Sequence, residues 1–161
     1  MPAIDPFIDL RPFSAFNFAV EINRGQDGDA LVGAAFAECD GLEMTMEVKT
    51  VREGGANDRQ IRLAGPVSFG TLTLKRGMTP NFDLWKWFRD SVDDPGLRAQ
   101  VEVVVLGTDG QAERARFIMT RCLPVKMKAP ALNARDGQVA IEELQVAYET
   151  LTLKEAGGAT P

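Results

Sequence analysis

The sequence predicts a mainly β domain of the α+β kind, a small antiparallel β-barrel or sandwich with one flanking α-helix. Three observations point there. Apolar and polar residues alternate with period two in stretch after stretch. Gly-, Asp- and Pro-containing turn signals separate those stretches. Only residues 82–92 carry the 3.6-residue period of a helix.

In chain order, Pro2, Pro6 and Pro12 make the segment before Phe16 read as an extended arm, 1–15. Phe16, Phe18, Val20 and Ile22 alternate with Asn17, Glu21 and Asn23, as a half-buried strand does. Arg24–Asp29, with Gly25 and Gly28, reads as a turn, Leu31–Cys39 as a strand, and Asp40-Gly41 as another turn. Met44, Met46 and Val48 against Thr45, Glu47 and Lys49 predict a strand to Arg52, with the apolar set inward. Glu53–Gln60 has no apolar period and is expected to be an exposed loop. Ile61–Leu63 is a short extended piece before Gly65-Pro66. Ser68–Arg76 is a strand with Leu72 and Leu74 on one face and Thr71, Thr73 and Lys75 on the other.

The helix follows. Asn81 is placed to cap it and Asp83 lies in the first turn, where the helix dipole favours an acid. Phe82, Trp85, Phe88 and Val92 form the expected buried stripe, with Lys86, Arg89 and Asp90 outside it. Trp85 is assigned to the core. Trp87, about 200° away from it at 100° per residue, suits either a neighbouring strand or an exposed protein contact.

Strands at Gln100–Leu106 and Glu113–Cys122 flank Gly107–Gly110, a hairpin signature, and Lys126–Gly137 reads as a long connection. In the last strand, Val139–Leu153, the apolar parity runs odd, even, odd. This predicts a bulge or change of buried face near Glu142-Glu143 and again near Thr150. About seven strands result, and 154–161 is expected to be a flexible tail. The main domain is therefore 16–153.

The chemistry is narrowed mostly by what the chain lacks. Its 161 residues, 45% hydrophobic, suit one domain with a real core. There is no histidine, so His-dependent triads and His-bearing zinc sites are excluded. The formal net charge of -5 argues against a nucleic-acid binder. Cys39 and Cys122 form no C-x-x-C pair and lie in apolar alternation, so they read as buried free thiols. Glu142 and Glu143, adjacent on a strand, point to opposite faces and cannot converge on a substrate. The serines lie in no nucleophile elbow, no phosphate-cradling glycine motif occurs, and Gly54-Gly55 is turn chemistry. No run of 18 apolar residues occurs, and Met1–Leu10, with Asp5 and Asp9, does not read as a secretory signal. The expectation is a non-enzymatic protein made in the cytoplasm, with no catalytic residue, metal or cofactor.

Six motifs in order carry a more specific signal. They are F-x-F-x-V-E-I at Phe16–Ile22, Asp40-Gly41-Leu42, V-R-E-G-G-A-N-D-R-Q-I-R-L-A-G at 51–65, F-G-T-L-T-L-K-R-G at 69–77, L-W-K-W-F at 84–88, and V-A-I-E-E-L at 139–144. Together they resemble the tail tube proteins of contractile phage tails and extracellular contractile injection systems. Ala64 departs from that pattern, which usually has proline there, and so does the long arm before Phe16.

The resemblance implies a structural subunit that forms six-membered rings, stacked as a tube inside a sheath. The partners it implies are other copies of the chain, the sheath protein, and baseplate and tube-terminator proteins, with cargo or DNA passing through only transiently and no membrane insertion. A single-ring initiator near the baseplate would share the motifs; a small ligand-binding β-barrel is the reading from another class. Carried over by motif, the loop Arg52, Glu53, Gly54, Gly55, Asn57, Asp58 and Arg59 is expected to reach the next ring. Strand alternation suggests Glu47, Lys49, Thr71, Thr73 and Lys75 for the lumen, and the exposed face of the helix, Lys86, Arg89 and Asp90, is the candidate for sheath contact.

Overall fold

A computed structural model of the chain describes residues 12–24, 30–55, 58–135 and 137–155. The expected arm up to residue 11, most of the turn at 24–29 and the tail beyond Glu155 lie outside the described residues. In chain order the strands are β1 (Phe18–Asn23), β2 (Ala30–Ala34), β3 (Glu38–Asp40), β4 (Met44–Arg52), β5 (Gln60–Phe69), β6 (Thr71–Gly77), β7 (Ala99–Leu106), β8 (Glu113–Lys128), β9 (Ile141–Ala147) and β10 (Thr150–Glu155). The helix α1 (Asp83–Asp93) lies between β6 and β7. All pairings are antiparallel. The expected mainly β architecture with a single helix is present among the described residues.

The long strand β8 organises the fold. Its first half pairs with β7 on one side and β10 on the other, and β7 continues to β1 and β2. Its second half pairs with β9, which continues to β6 and β3. Between the halves, Arg121 takes φ 51 and the register against β9 shifts at Pro124–Lys126. That kink passes the strand from one sheet to the other.

The strand count is ten among the described residues, above the expected seven, because several stretches divide or extend. Leu31–Cys39 divides into β2 and β3. β8 runs on past Cys122 through Pro124 to Lys128, where the sequence suggested a connection. Beyond Cys122 this strand has only β9 as a partner among the described residues, so the N–H that Pro124 lacks costs no ladder bond on the open side. β5 likewise runs through Gly65-Pro66, in a strand with one partner and a register shift to absorb the proline. The second anticipated parity change is real and separates β9 from β10. The first does not occur. Val139 and Ile141 are exposed, and Glu142, Leu144, Val146 and Tyr148 hold one inward parity throughout.

The core comprises Val20, Ile22, Leu72, Leu74, Val101, Val103, Met119, Cys122, Leu144 and Val146 from the strands, covered by Leu84 and Trp87 of α1. Both cysteines are free thiols, Cys122 buried and Cys39 partly so, and burial pushes each thiol up to about 11.

The helix is rotated from the orientation its apolar stripe suggests. Leu84, Trp87 and Ser91 are buried, while Phe82 and Val92 are 49% and 66% exposed and Trp85 and Phe88 lie at the boundary. Ser91 made this face look polar in sequence. In place, its hydroxyl donates to the Trp87 carbonyl at 2.9 Å, so the small side chain is satisfied and lets the helix lie close to the sheet. The helix begins one residue later than expected. Asn81 still serves it, its Oδ1 accepting from the Asp83 N–H at 3.0 Å.

Candidate assembly surfaces

The β4–β5 pair is a two-stranded ribbon with no third strand beside it among the described residues. It carries Met44, Met46, Val48, Val51, Ile61, Leu63 and Val67 at 36–61% exposure. Met44, Met46 and Val48 were expected to form an inward apolar face; instead every residue of β4 is exposed. Both faces are apolar in part. Near the base, Met44 and Met46 stand opposite Phe69 and Val67 on one face. Past the shift between Met46 and Val48, Lys49 and Val51 stand opposite Leu63 and Ile61 on the other. An isolated ribbon of two strands is marginal in water, and an apolar surface on this scale marks an interaction site.

The ribbon's base is well held. Gly41 has φ 97, and a Cβ there would lie 1.9 Å from the Thr71 carbonyl oxygen. The Tyr148 hydroxyl donates to the Gly41 carbonyl at 2.7 Å and accepts from the Glu43 N–H at 3.1 Å. At the other end is the motif loop. Arg52, Glu53, Gly54, Gly55, Asp58 and Arg59 are all exposed at the tip, and Gly55 has φ 107 with open space around it. Asn57 lies outside the described residues.

The five residues suggested for one lumen face are divided between two sheets. Glu47 and Lys49 are exposed on the ribbon, whereas Thr71, Thr73 and Lys75 share the outward face of β6, opposite Leu72 and Leu74. Around Lys75 that face is charged. Register places Glu38, Lys75, Glu143 and Lys128 side by side on β3, β6, β9 and β8, and Asp40, Thr73, Gln145 and Lys126 in the next row. Lys75 and Glu38 approach to 3.6 Å.

On α1, Lys86, Arg89 and Asp90 are exposed as expected, and Asp90 accepts a hydrogen bond from Arg24. The unexpected neighbours are apolar. Because of the helix rotation, Trp85, Phe88 and Val92 line an open groove beside Lys86, Arg89 and Asp93.

Two charged clusters were not anticipated. Arg76 and Glu142, 4% and 2% exposed, face each other across β6 and β9 with Nε–Oε1 at 2.5 Å. Trp85 Nε1 donates to the second Glu142 oxygen at 2.9 Å, Arg76 Nη2 donates to the Asn81 carbonyl at 3.0 Å, and the guanidinium lies 5.7 Å from the Phe36 ring centroid. Strand, helix and helix entry are thus tied to one buried pair. The signal was in the alternation: Arg76 shares the parity of Leu72 and Leu74, and Glu142 that of Leu144. On the other sheet, Arg116 donates to Glu113 at 2.9 Å, to Glu21 at 3.1 Å and also to Glu102. The Arg116 hydrogen bonds hold the Glu113 carboxyl below its usual range. Among the described residues there is no group of three or more His, Cys, Asp or Glu side chains disposed to hold a metal, and no helix long and apolar enough to cross a membrane.

Residues 14–152 match the T4-like virus tail tube protein gp19 family. The chain belongs to that family. It is accordingly a structural component of a tail tube. Solved structures agree in fold. A chain of the anti-feeding prophage baseplate, solved by cryo-EM with six-fold symmetrisation, is 26% identical over 91% of this chain and 98% of its own, with TM-score 0.78. A chain of the PVC sheath–tube complex of an extracellular contractile injection system, in the extended state, is 16% identical over 92% and 94%, with TM-score 0.77. The Hcp1 protein from E. coli EAEC 042 is 12% identical over 91% and 96%, with TM-score 0.53. No curated protein sequence matches the chain.

Proposed function

We propose that copies of this tail tube protein close into six-membered rings, and that the rings stack into the inner tube of a phage tail or contractile injection system. The observation that carries this is the β4–β5 ribbon. Its exposed apolar residues on both faces have no covering partner among the described residues, and neighbouring subunits would supply one. A ring needs a heterologous interface, in which two different surfaces of each copy meet. A ribbon reaching away from its own body suits that requirement.

The motif loop at the ribbon tip, Arg52 to Arg59, is then the element that touches the next ring. Glu53, Asp58 and Arg59 set the stacking register by charge. The outward face of β6, with Thr71, Thr73 and Lys75, lines the lumen, and Glu47 and Lys49 join it from the ribbon. A surrounding sheath contacts α1 through Lys86, Arg89 and Asp90, and baseplate and terminator proteins close the tube's ends. The partners named in the sheath–tube and baseplate structures of the similar chains support this reading. The domain is 16–153, with the arm 1–15 and the tail 154–161 as appendages, although Lys154 and Glu155 extend β10.

Negative-stain electron microscopy of the purified protein tests the class, with stacked six-fold rings or tubes as the expected images. Reversing charge at the tip, Asp58→Arg or Arg59→Glu, is expected to abolish tubes while the subunit still folds. Normal tubes from both variants would refute the loop assignment.

A further inference from the structure

β8 breaks its alternation at one point, and the break turns an extra charge outward. Met119 and Cys122 are both fully buried, so Thr120 and Arg121 between them both lie on the outward face. The two stand opposite the single residue Gln100 of β7, a β-bulge. Arg121 takes φ 51 there, the only positive φ at a non-glycine among the described residues. Glycine or asparagine would take that conformation with less strain, so the kink by itself does not call for an arginine. Around Arg121 the face forms an open pocket of about 370 Å³, lined also by Asn23, Arg98, Gln100 and Thr120, with no carboxylate in the lining. Arg98 Nη1 donates to the Pro95 and Leu97 carbonyls, both at 2.8 Å, which fixes the head and leaves its Nε and Nη2 donors. Arg121 Nε donates to Glu149 at 2.8 Å and leaves both Nη groups.

From this we infer that the Arg98–Arg121 pocket is a carboxylate site, and that its occupant is an acidic segment of a second protein. Three features support it. First, the chemistry fits. Two guanidinium groups, one fixed by backbone carbonyls and one held out by the bulge, offer forked N–H donors that match a carboxylate. Second, the openness of the pocket favours a docked segment over a free anion. Glu149 offsets part of the charge, and a free anion would lose all its freedom of motion for few contacts. A side chain carried in by a docked protein does not bear that cost separately. Third, the pocket faces the right way. Asn23, Gln100 and Thr120 lie on the face opposite the core residues Ile22, Val101 and Met119. This sheet and the sheet of β6 enclose one core. With the outward face of β6 on the lumen, the pocket looks away from the lumen, toward a protein that surrounds the tube. The inference rests on the tube reading for that direction alone.

The test uses the full-length protein and three probes: a labelled hexaglutamate peptide, its hexaglutamine analogue and citrate. Fluorescence anisotropy at low salt should show saturable binding of hexaglutamate and none of hexaglutamine, with citrate a poor competitor. Arg98→Gln and Arg121→Asn should each weaken hexaglutamate binding at least about tenfold, the worth of one hydrogen bond to a charged group. Arg121→Asn should meanwhile melt at or above the wild-type temperature, because asparagine tolerates the positive φ and the exposed pair with Glu149 contributes little. Arg121→Gly supplies a second variant with the same expectation. Hexaglutamate binding that neither substitution weakens, or equal binding of hexaglutamine, would overturn the site. Citrate binding as tightly as the peptide through the same arginines would overturn the protein segment as occupant. Melting well below wild type for both Arg121 variants would show that the arginine serves the fold, and would also overturn the inference. Electron microscopy separates this from the tube reading. A wild type that forms no rings would overturn the tube, while peptide binding still decides the pocket.

Discussion

Arg76 and Glu142 form a buried ion pair directly across β6 and β9, and through Trp85 and the Asn81 carbonyl the same pair holds the start of α1. Two charges are thereby removed from water at a point where helix, sheet and helix entry meet. Breaking a buried pair by removing one partner costs about 3–5 kcal/mol, because the remaining charge is stranded. Glu142→Leu alone should show a loss of that order in urea denaturation. The double variant with Arg76→Met should recover most of it, since apolar replacement of a whole buried pair is often neutral. A double variant no better than the single one would show that the hydrogen bonds to Trp85 and Asn81 matter more than the charges.

The helix rotation makes opposite forecasts for its two tryptophans. Trp87 is fully buried, with its indole N–H unpartnered among the described residues. Trp87→Ala should cost about 3–5 kcal/mol through the cavity it leaves. Trp87→Phe should cost much less, because it also removes an unsatisfied donor worth about 1–3 kcal/mol. Trp85→Phe should instead lose the bond to Glu142 and destabilise by about 1.5–3 kcal/mol, the range for a hydrogen bond to a charged group. Equal losses for Trp85→Phe and Trp87→Phe would contradict the orientation.

Gly41 and Gly55 both have positive φ, yet their surroundings differ. Gly55→Ala meets nothing within 4 Å and should cost only the backbone strain, about 1–2 kcal/mol. At Gly41 the new methyl would run into the Thr71 carbonyl, so Gly41→Ala must displace the ribbon base from β6 as well. Thermal melting should show a small shift for the first and a several-fold larger one, or an insoluble protein, for the second.

The buried thiols give a pH dependence with a definite sign. Their folded values, about 11, lie above the ordinary 9.0, so the unfolded chain releases these protons first. Stability from both groups is complete below pH 9 and falls as pH rises from about 9 to 11. Cys39→Ser with Cys122→Ala should flatten that alkaline limb of the stability profile. Near pH 8 a thiol reagent should titrate the native protein slowly and the urea-unfolded protein at two equivalents, matching the two cysteines.

Strand alternation and turn residues were sufficient, from sequence alone, for the mainly β class, for β1, for the hairpin at Gly107–Gly110 and for the position of the single helix, because these depend on local period and local φ. The six ordered motifs pointed to the tail tube family, since they mark loops and strand ends whose spacing the fold must keep. What tertiary structure decided was which apolar face has a partner. Met46 and Val48 alternate like core residues but stand on a ribbon with no sheet above it among the described residues, and Trp85 and Val92 form a better stripe than Trp87 and Ser91 yet lie at the boundary and outside it respectively. Periodicity reports that a side chain is apolar and on which face it stands; it does not report whether the covering surface belongs to the same copy. Arg76 and Glu142 are the converse case. Their inward parity was visible in the alternation, but only β6–β9 register brings the two opposite charges together, and only that pairing makes the burial of either affordable.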